Sequence, residues 1–249
     1  MQPKWPSFVA GLLILFIIYH SPEFFSALWI TAVFKIGFLF VAYIIARWQG
    51  WKGLGGYGLM LHPGWIRNLL LGLATGIVFF LLSEWLSMQS GCEQLVSIKN
   101  FIAILKLLPI TLVMTFFPSI AEDILTRGYL YGHLQKVLRP AIFILVSAAF
   151  YVLNHIWRLG QGAPVLSYLF ILGIALALAL VFTNSLWLTL GIHWGSNIAF
   201  EMVNAVTITK TVNQAMSLWI LAASFALMLL FIILARRLFG RCNKWPTSK

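Results

Sequence analysis

The stretch VLSYLFILGIALALALVF, Val165–Phe182, decides the fold class. It holds no charged residue. It also lacks the polar–apolar alternation that an outer-membrane strand shows over about 10 positions. A helix needs about 20 such residues to cross a hydrocarbon layer about 30 Å thick. Similar runs recur at roughly 7–20, 26–46, 68–89, 101–120, 140–157, 185–204 and 214–235. Pro6, Ser21-Pro22, the glycines from Gly53 to Gly56, Gly160–Pro164 and Asn184-Ser185 separate them, as turn formers do. The pattern predicts an all-α, polytopic transmembrane bundle of about eight helices, a single integral membrane domain over residues 1–249 without internal repeats.

Composition agrees. Of 249 residues, 61% are hydrophobic and 9% charged, and the mean hydropathy is +0.93. A soluble domain carries about 25% charged residues, which excludes an ordinary soluble enzyme, and disorder needs the opposite composition. The net charge of +11 comes from 17 Lys and Arg against 6 Asp and Glu. In a soluble chain that excess would suggest nucleic acid. Here Arg47, Lys52, Arg67, Lys136 and Arg139 flank apolar spans, so the expected partner is the lipid bilayer, with no nucleic acid. With eight spans, Lys4, the 47–67 loop, Lys136, Arg139 and the tail residues Arg236, Arg237, Arg241, Lys244 and Lys249 share one side. The opposite loops hold Lys99, Arg158 and Lys210. The asymmetry predicts a multi-pass protein with both termini cytoplasmic. The first span reads as a retained helix without a signal cleavage site. Residues 51–67 read either as an amphipathic interfacial piece or as an ordinary loop with belt aromatics. Cys92 and Cys242 fall on opposite faces, so no disulfide is expected.

Charge inside hydrocarbon costs about 2.5–3.5 kcal/mol per residue on insertion scales, so each polar group within a span needs a reason. Three clusters stand out: Ala121-Glu122-Asp123-Ile124-Leu125-Thr126-Arg127-Gly128, Tyr151-Val152-Leu153-Asn154-His155 and Gly191-Ile192-His193-Trp194-Gly195-Ser196-Asn197. Asp123 and Arg127 are four apart and share a helix face. Glu122 and Arg127 are five apart, about 140° around the axis. Arg127 therefore pairs with Asp123, and Glu122 points elsewhere. His193 and Asn197 project from one face, with Gly195 leaving room for a substrate or another helix. Each cluster also has a plain structural reading, as a boundary ion pair or interhelical polar glue. A turn near Lys136–Pro140 would bring Glu122 and His155 to similar depth, since they lie about 16 and 17 residues from it at about 1.5 Å per residue. A carboxylate and a His at one level, with His193 and Asn197 on a third helix, suit hydrolysis. Glu201, one turn beyond Asn197, is a weaker candidate.

The three clusters together resemble the CPBP family of intramembrane proteases (CAAX proteases and bacteriocin-processing enzymes, also called the Abi family). Its EExxxR, FxxxH and HxxxN motifs read here as Glu122-Asp123-x-x-x-Arg127, Tyr151-x-x-x-His155 and His193-x-x-x-Asn197. The resemblance covers a core at about 101–204. Asp123 replaces the second Glu of the motif, and Tyr151 replaces its Phe. The resemblance implies a glutamate-dependent endopeptidase that cleaves membrane-associated or lipidated peptides or proteins. Glu122 would activate water. His155 would hold that water and protonate the leaving amine. His193 and Asn197 would stabilise the oxyanion, and Asp123 and Arg127 would support the catalytic helix. No cofactor is implied. The site needs water, and a cavity on the cytoplasmic side is expected. Short loops resemble bacterial members, which implies a cell inner membrane. Two alternatives stay open: a zinc enzyme using Glu122, His155 and His193, although HExxH is missing, and an inactive scaffold or peptide-binding protein of the same fold.

Overall fold

The computed structural model describes residues 5–242. Lys4, Lys244 and Lys249, counted above for orientation, lie outside the described residues. The chain runs through α1 (Trp5–His20), α2 (Leu28–Trp48), α3 (Trp65–Gln89), β1 (Glu93–Ile98), α4 (Phe101–Asp123), a π-helical segment (Ile124–Gly128), α5 (Tyr129–Leu134), α6 (Pro140–Asn154), α7 (Ala163–Thr183), α8 (Leu186–Val206), β2 (Thr207–Thr211) and α9 (Gln214–Leu234). The all-α bundle expected from the apolar runs is therefore present. Among the described residues, six stretches are long and apolar enough to cross a membrane: Trp5–Phe24, Trp29–Trp48, Trp65–Gln89, Phe101–Leu134, Ala163–Thr183 and Gln214–Leu234. Helix α6 is apolar but has only 15 residues. Helix α8 has 21 residues and carries the third polar cluster.

Alternating helix direction gives the bundle two ends. The 49–64 loop, the turn at 135–139 and the corner at Asn184-Ser185 share one, here the turn end. Leu186 N–H donates to the Gly58 carbonyl (3.0 Å) and His62 Nε2 lies 3.1 Å from Ser185 Oγ, which fixes that grouping. The other end carries β1 paired antiparallel with β2, from Glu93 opposite Thr211 to Ile98 opposite Thr207. This two-stranded sheet was not expected from the sequence. Its strands have few residues and lie mostly exposed, so no alternation of buried positions announces them.

Two apolar clusters fill the bundle. One joins α1, α2, the 51–57 segment and α5, including Leu15, Phe38, Tyr57 and Tyr129. The other joins α3, α7, α8 and α9, including Phe80, Leu176, Ile192 and Met228. Helices α7 and α8 contribute to both. Helix α8 lies against α3 through paired small residues, Gly72 and Gly76 facing Gly191 and Gly195. A Cβ at Gly76 would meet the Ile192 carbonyl oxygen, and one at Gly195 the Leu73 carbonyl oxygen. Small residues let membrane helices approach this closely. Gly195 thus admits another helix.

The 51–57 segment is neither interfacial helix nor open loop. Trp51 and Tyr57 are buried, and Gly128 of the π segment abuts the Tyr57 carbonyl. Burial pushes the Tyr57 phenol well above its ordinary pKa, so it remains a donor, here to Gln49 Oε1 at 3.2 Å.

Candidate active site

The catalytic helix candidate is built around one polar face. Thr111, Thr115, Ser119 and Glu122 recur at helical spacing, and all are buried. The hydroxyls of Thr111, Thr115 and Ser119 each donate to the carbonyl four residues earlier, at 3.0, 2.7 and 2.7 Å. Satisfied this way, they sit in an apolar bundle at little cost. Pro118 removes one backbone donor just before Glu122. The helix then widens into the π turn at Ile124–Gly128, a deformation frequent at functional sites. Ser147 of α6 donates to the Thr126 carbonyl at 2.9 Å and so binds the widened turn to the neighbouring helix.

Glu122 and Asp123 diverge as expected. Asp123 Oδ1 accepts from Arg127 Nη1 at 2.7 Å, and both residues are fully buried. The Arg127 guanidinium also lies over the Tyr151 ring, 4.3 Å from its centroid, a cation–π contact strengthened by desolvation. Asp123 Oδ1 has a second partner, His193 Nδ1 at 3.1 Å. A carboxylate on Nδ1 fixes ring orientation and leaves Nε2 facing the site. That Nε2 lies 3.5 Å from Glu122 Oε2.

The turn at 135–139 brings α6 back alongside. Helix α6 ends at Asn154, since His155 leaves helical geometry at φ −88° and ψ 55°. His155 Nδ1 caps the Tyr151 carbonyl at 2.8 Å and lies 3.8 Å from Glu122 Oε1. Glu122 and His155 therefore lie at matching depth, as their distances from the turn predict. Glu122 Oε1 is occupied by a residue given no role in the sequence analysis: Asn154 Nδ2 donates to it at 2.8 Å.

Asn197 stands apart from the carboxylates. Its Nδ2 donates to Ser119 Oγ at 2.9 Å, one turn before Glu122. Glu201 is exposed and outside the cluster. Glu122, Asp123, Arg127, His155 and His193 come together, whereas Asn197 reaches the same helix through a hydroxyl. Among the described residues, no three His, Cys, Asp or Glu side chains converge as metal ligands. His155 Nδ1 is engaged by the Tyr151 carbonyl and His193 Nδ1 by Asp123 Oδ1.

Near the cluster the side chains of His155 and Glu23 are 19% and 28% exposed. Both lie where α1 and α6 end, opposite the turn end, which carries the basic loop 47–67.

Residues 104–199 match the family model described as Type II CAAX prenyl endopeptidase Rce1-like. Over these residues the chain is similar to the CAAX proteases. The matched stretch contains Glu122, His155, His193 and Asn197, within the 101–204 core delimited from the motifs. A comparison with curated proteins finds no match. Within this matched stretch, the missed contributions are Ser119, a hydroxyl on the polar face, and Asn154, directly before His155. The spacing of Thr111, Thr115, Ser119 and Glu122 was a readable signal for the first. Nothing local distinguishes Asn154 from interhelical glue.

Proposed function

We propose that this chain is an intramembrane endopeptidase that hydrolyses peptide bonds of membrane-associated or lipidated peptides or proteins. The observation that carries the reading is a buried carboxylate, Glu122, lying between Asn154, His155 and His193 while Arg127 neutralises its neighbour Asp123. A carboxylate relieved of like-charge repulsion and facing two imidazoles suits general-base work.

Glu122 takes one proton from water, and the hydroxide oxygen bonds to the scissile carbonyl carbon. The carbonyl π electrons pass to oxygen. His193 Nε2 and Asn197 Nδ2 donate to that oxyanion; with Nδ1–H held by Asp123, His193 donates from Nε2 when both ring nitrogens carry hydrogen. Collapse of the intermediate breaks the C–N bond, and the proton that Glu122 took from water passes by way of His155 to the leaving amine, which restores the carboxylate. Charge stabilisation of this kind is worth about 10²–10³ in rate per donor. Asn197→Ala is therefore expected to lower kcat by about that factor, measured against an unchanged melting temperature.

The deciding experiment compares wild type with Glu122→Ala on quenched-fluorescence peptides in liposomes, one of them lipidated, with folding checked for both. Cleavage by wild type that disappears in the variant supports the reading. Equal cleavage removes Glu122 from catalysis. The scaffold alternative expects Glu122→Ala to keep partner binding, and no contact in the site favours it. For location we propose a cell inner membrane with both termini cytoplasmic, which rests on the basic loops.

A further inference from the structure

A chain of buried polar groups leads from Glu122 out of the matched core and into α1. Asn154 Nδ2 donates to Glu122 Oε1 at 2.8 Å, and Asn154 Oδ1 lies 3.0 Å from His20 Nε2. His20 Nδ1 lies 2.9 Å from Glu23 Oε2, which also accepts from Trp157 Nε1 at 2.8 Å. His20 and Asn154 are 5% and 4% exposed. His20 and Glu23 are outside residues 104–199, so no motif of the core includes them.

Donor and acceptor inventory fixes the direction of the chain. An ionised Glu122 only accepts, so Asn154 must turn its amide nitrogen toward it. The Asn154 oxygen then faces His20, and Nε2 must carry a hydrogen. Glu23 is also an acceptor, so Nδ1 carries one too. Every link is specified once Glu122 is a carboxylate. A fully satisfied buried network holds its members in one geometry, while a broken one leaves unpaired groups that are costly in low dielectric.

We propose that Glu23, His20 and Asn154 form a positioning arm that holds Oε1 of Glu122, leaving Oε2 beside His193 for water. This makes α1 part of the active site, and it rests on the reading of Glu122 as general base. The arm touches no substrate. Its loss costs orientation, and a misplacement of about 1 Å near the reacting atoms costs about 10²-fold in rate.

The test uses the full chain in liposomes and a peptide that wild type cleaves. His20→Gln is expected to lower kcat by about 10²-fold with KM nearly unchanged. An amide nitrogen at position 20 can serve Asn154 or Glu23, and its oxygen then confronts the other acceptor. Glu23→Gln alone is mild, because its amide serves either face of the imidazole. Combined with His20→Gln it supplies the missing donor, so the double variant recovers most of the lost kcat. Packing alone predicts no such recovery. Wild-type kcat in His20→Gln, or a double variant no better than His20→Gln, overturns the arm. Glu122→Gln runs alongside: activity retained there overturns the protease reading itself, whereas activity lost there with His20→Gln unaffected overturns the arm only. Asn154→Leu, with a melting curve, covers the case in which substitutions at position 20 do not fold.

Discussion

Asp123 serves two masters, a guanidinium and an imidazole, from one oxygen. Motif spacing made the first legible, since i and i+4 share a helix face. The second depended on how α8 rotates against α4, which no local pattern encodes. Asp in place of Glu also acquires a physical reading: the shorter carboxylate holds Arg127 and His193 together at 2.7 and 3.1 Å. Removing it strands a fully buried Arg127. Asp123→Ala is expected to destabilise the protein by about 3–5 kcal/mol, read as a lowered melting temperature in detergent. Asp123→Asn is expected to fold better than Asp123→Ala while still losing the charge that steadies both partners.

Among elements, the crossing of α3 and α8 sets where His193 stands. Two glycines on each helix bring the backbones together, and the face of α8 opposite that crossing meets α4, where Asn197 reaches Ser119 and Trp194 Nε1 reaches Thr115 Oγ1 at 3.1 Å. Gly76→Leu forces the helices apart and is expected to cost about 1–3 kcal/mol or more, as overpacking does. Its kcat should fall further than that of a surface variant of equal stability, because His193 moves with α8. The Gly-x-x-x-Gly spacing at Gly72 and Gly76 is visible in the sequence, and so is that at Gly191 and Gly195. Their pairing is not, because small residues mark an interface without naming the partner. The helices themselves were legible from apolar length alone. The two-stranded sheet, the π turn and the burial of the 51–57 segment were not, since each depends on contacts distant in sequence.

For the whole molecule, the topology places the 135–139 turn and the 155–162 segment at opposite ends. Lys136→Cys and Gly160→Cys, in a background lacking Cys92 and Cys242, are therefore expected to react with membrane-impermeant maleimide from opposite faces of an oriented vesicle. The basic-loop argument predicts that Gly160→Cys is labelled from the non-cytoplasmic face, and labelling from the cytoplasm would reverse the orientation. The shortness of α6 has a further consequence. Its 15 residues rise only about 22 Å at about 1.5 Å each, against a hydrocarbon layer of about 30 Å. Ile142, Leu145, Val146 and Leu153 are exposed along it, so lipid tails must meet a wall shorter than themselves. Phe24, Phe25 and Trp157 are exposed where α1 and α6 stop, and aromatic side chains of this kind settle at headgroup level. A bilayer matched to α6 would thin beside the carboxylate, at a cost of fractions of a kcal/mol per Å of mismatch. Thinning of this kind would bring headgroups and water toward Glu122 and shorten the path of a scissile bond into the membrane. Longer-chain lipids should slow cleavage more than they alter the melting temperature, with the local shape of the membrane acting as a component of the enzyme.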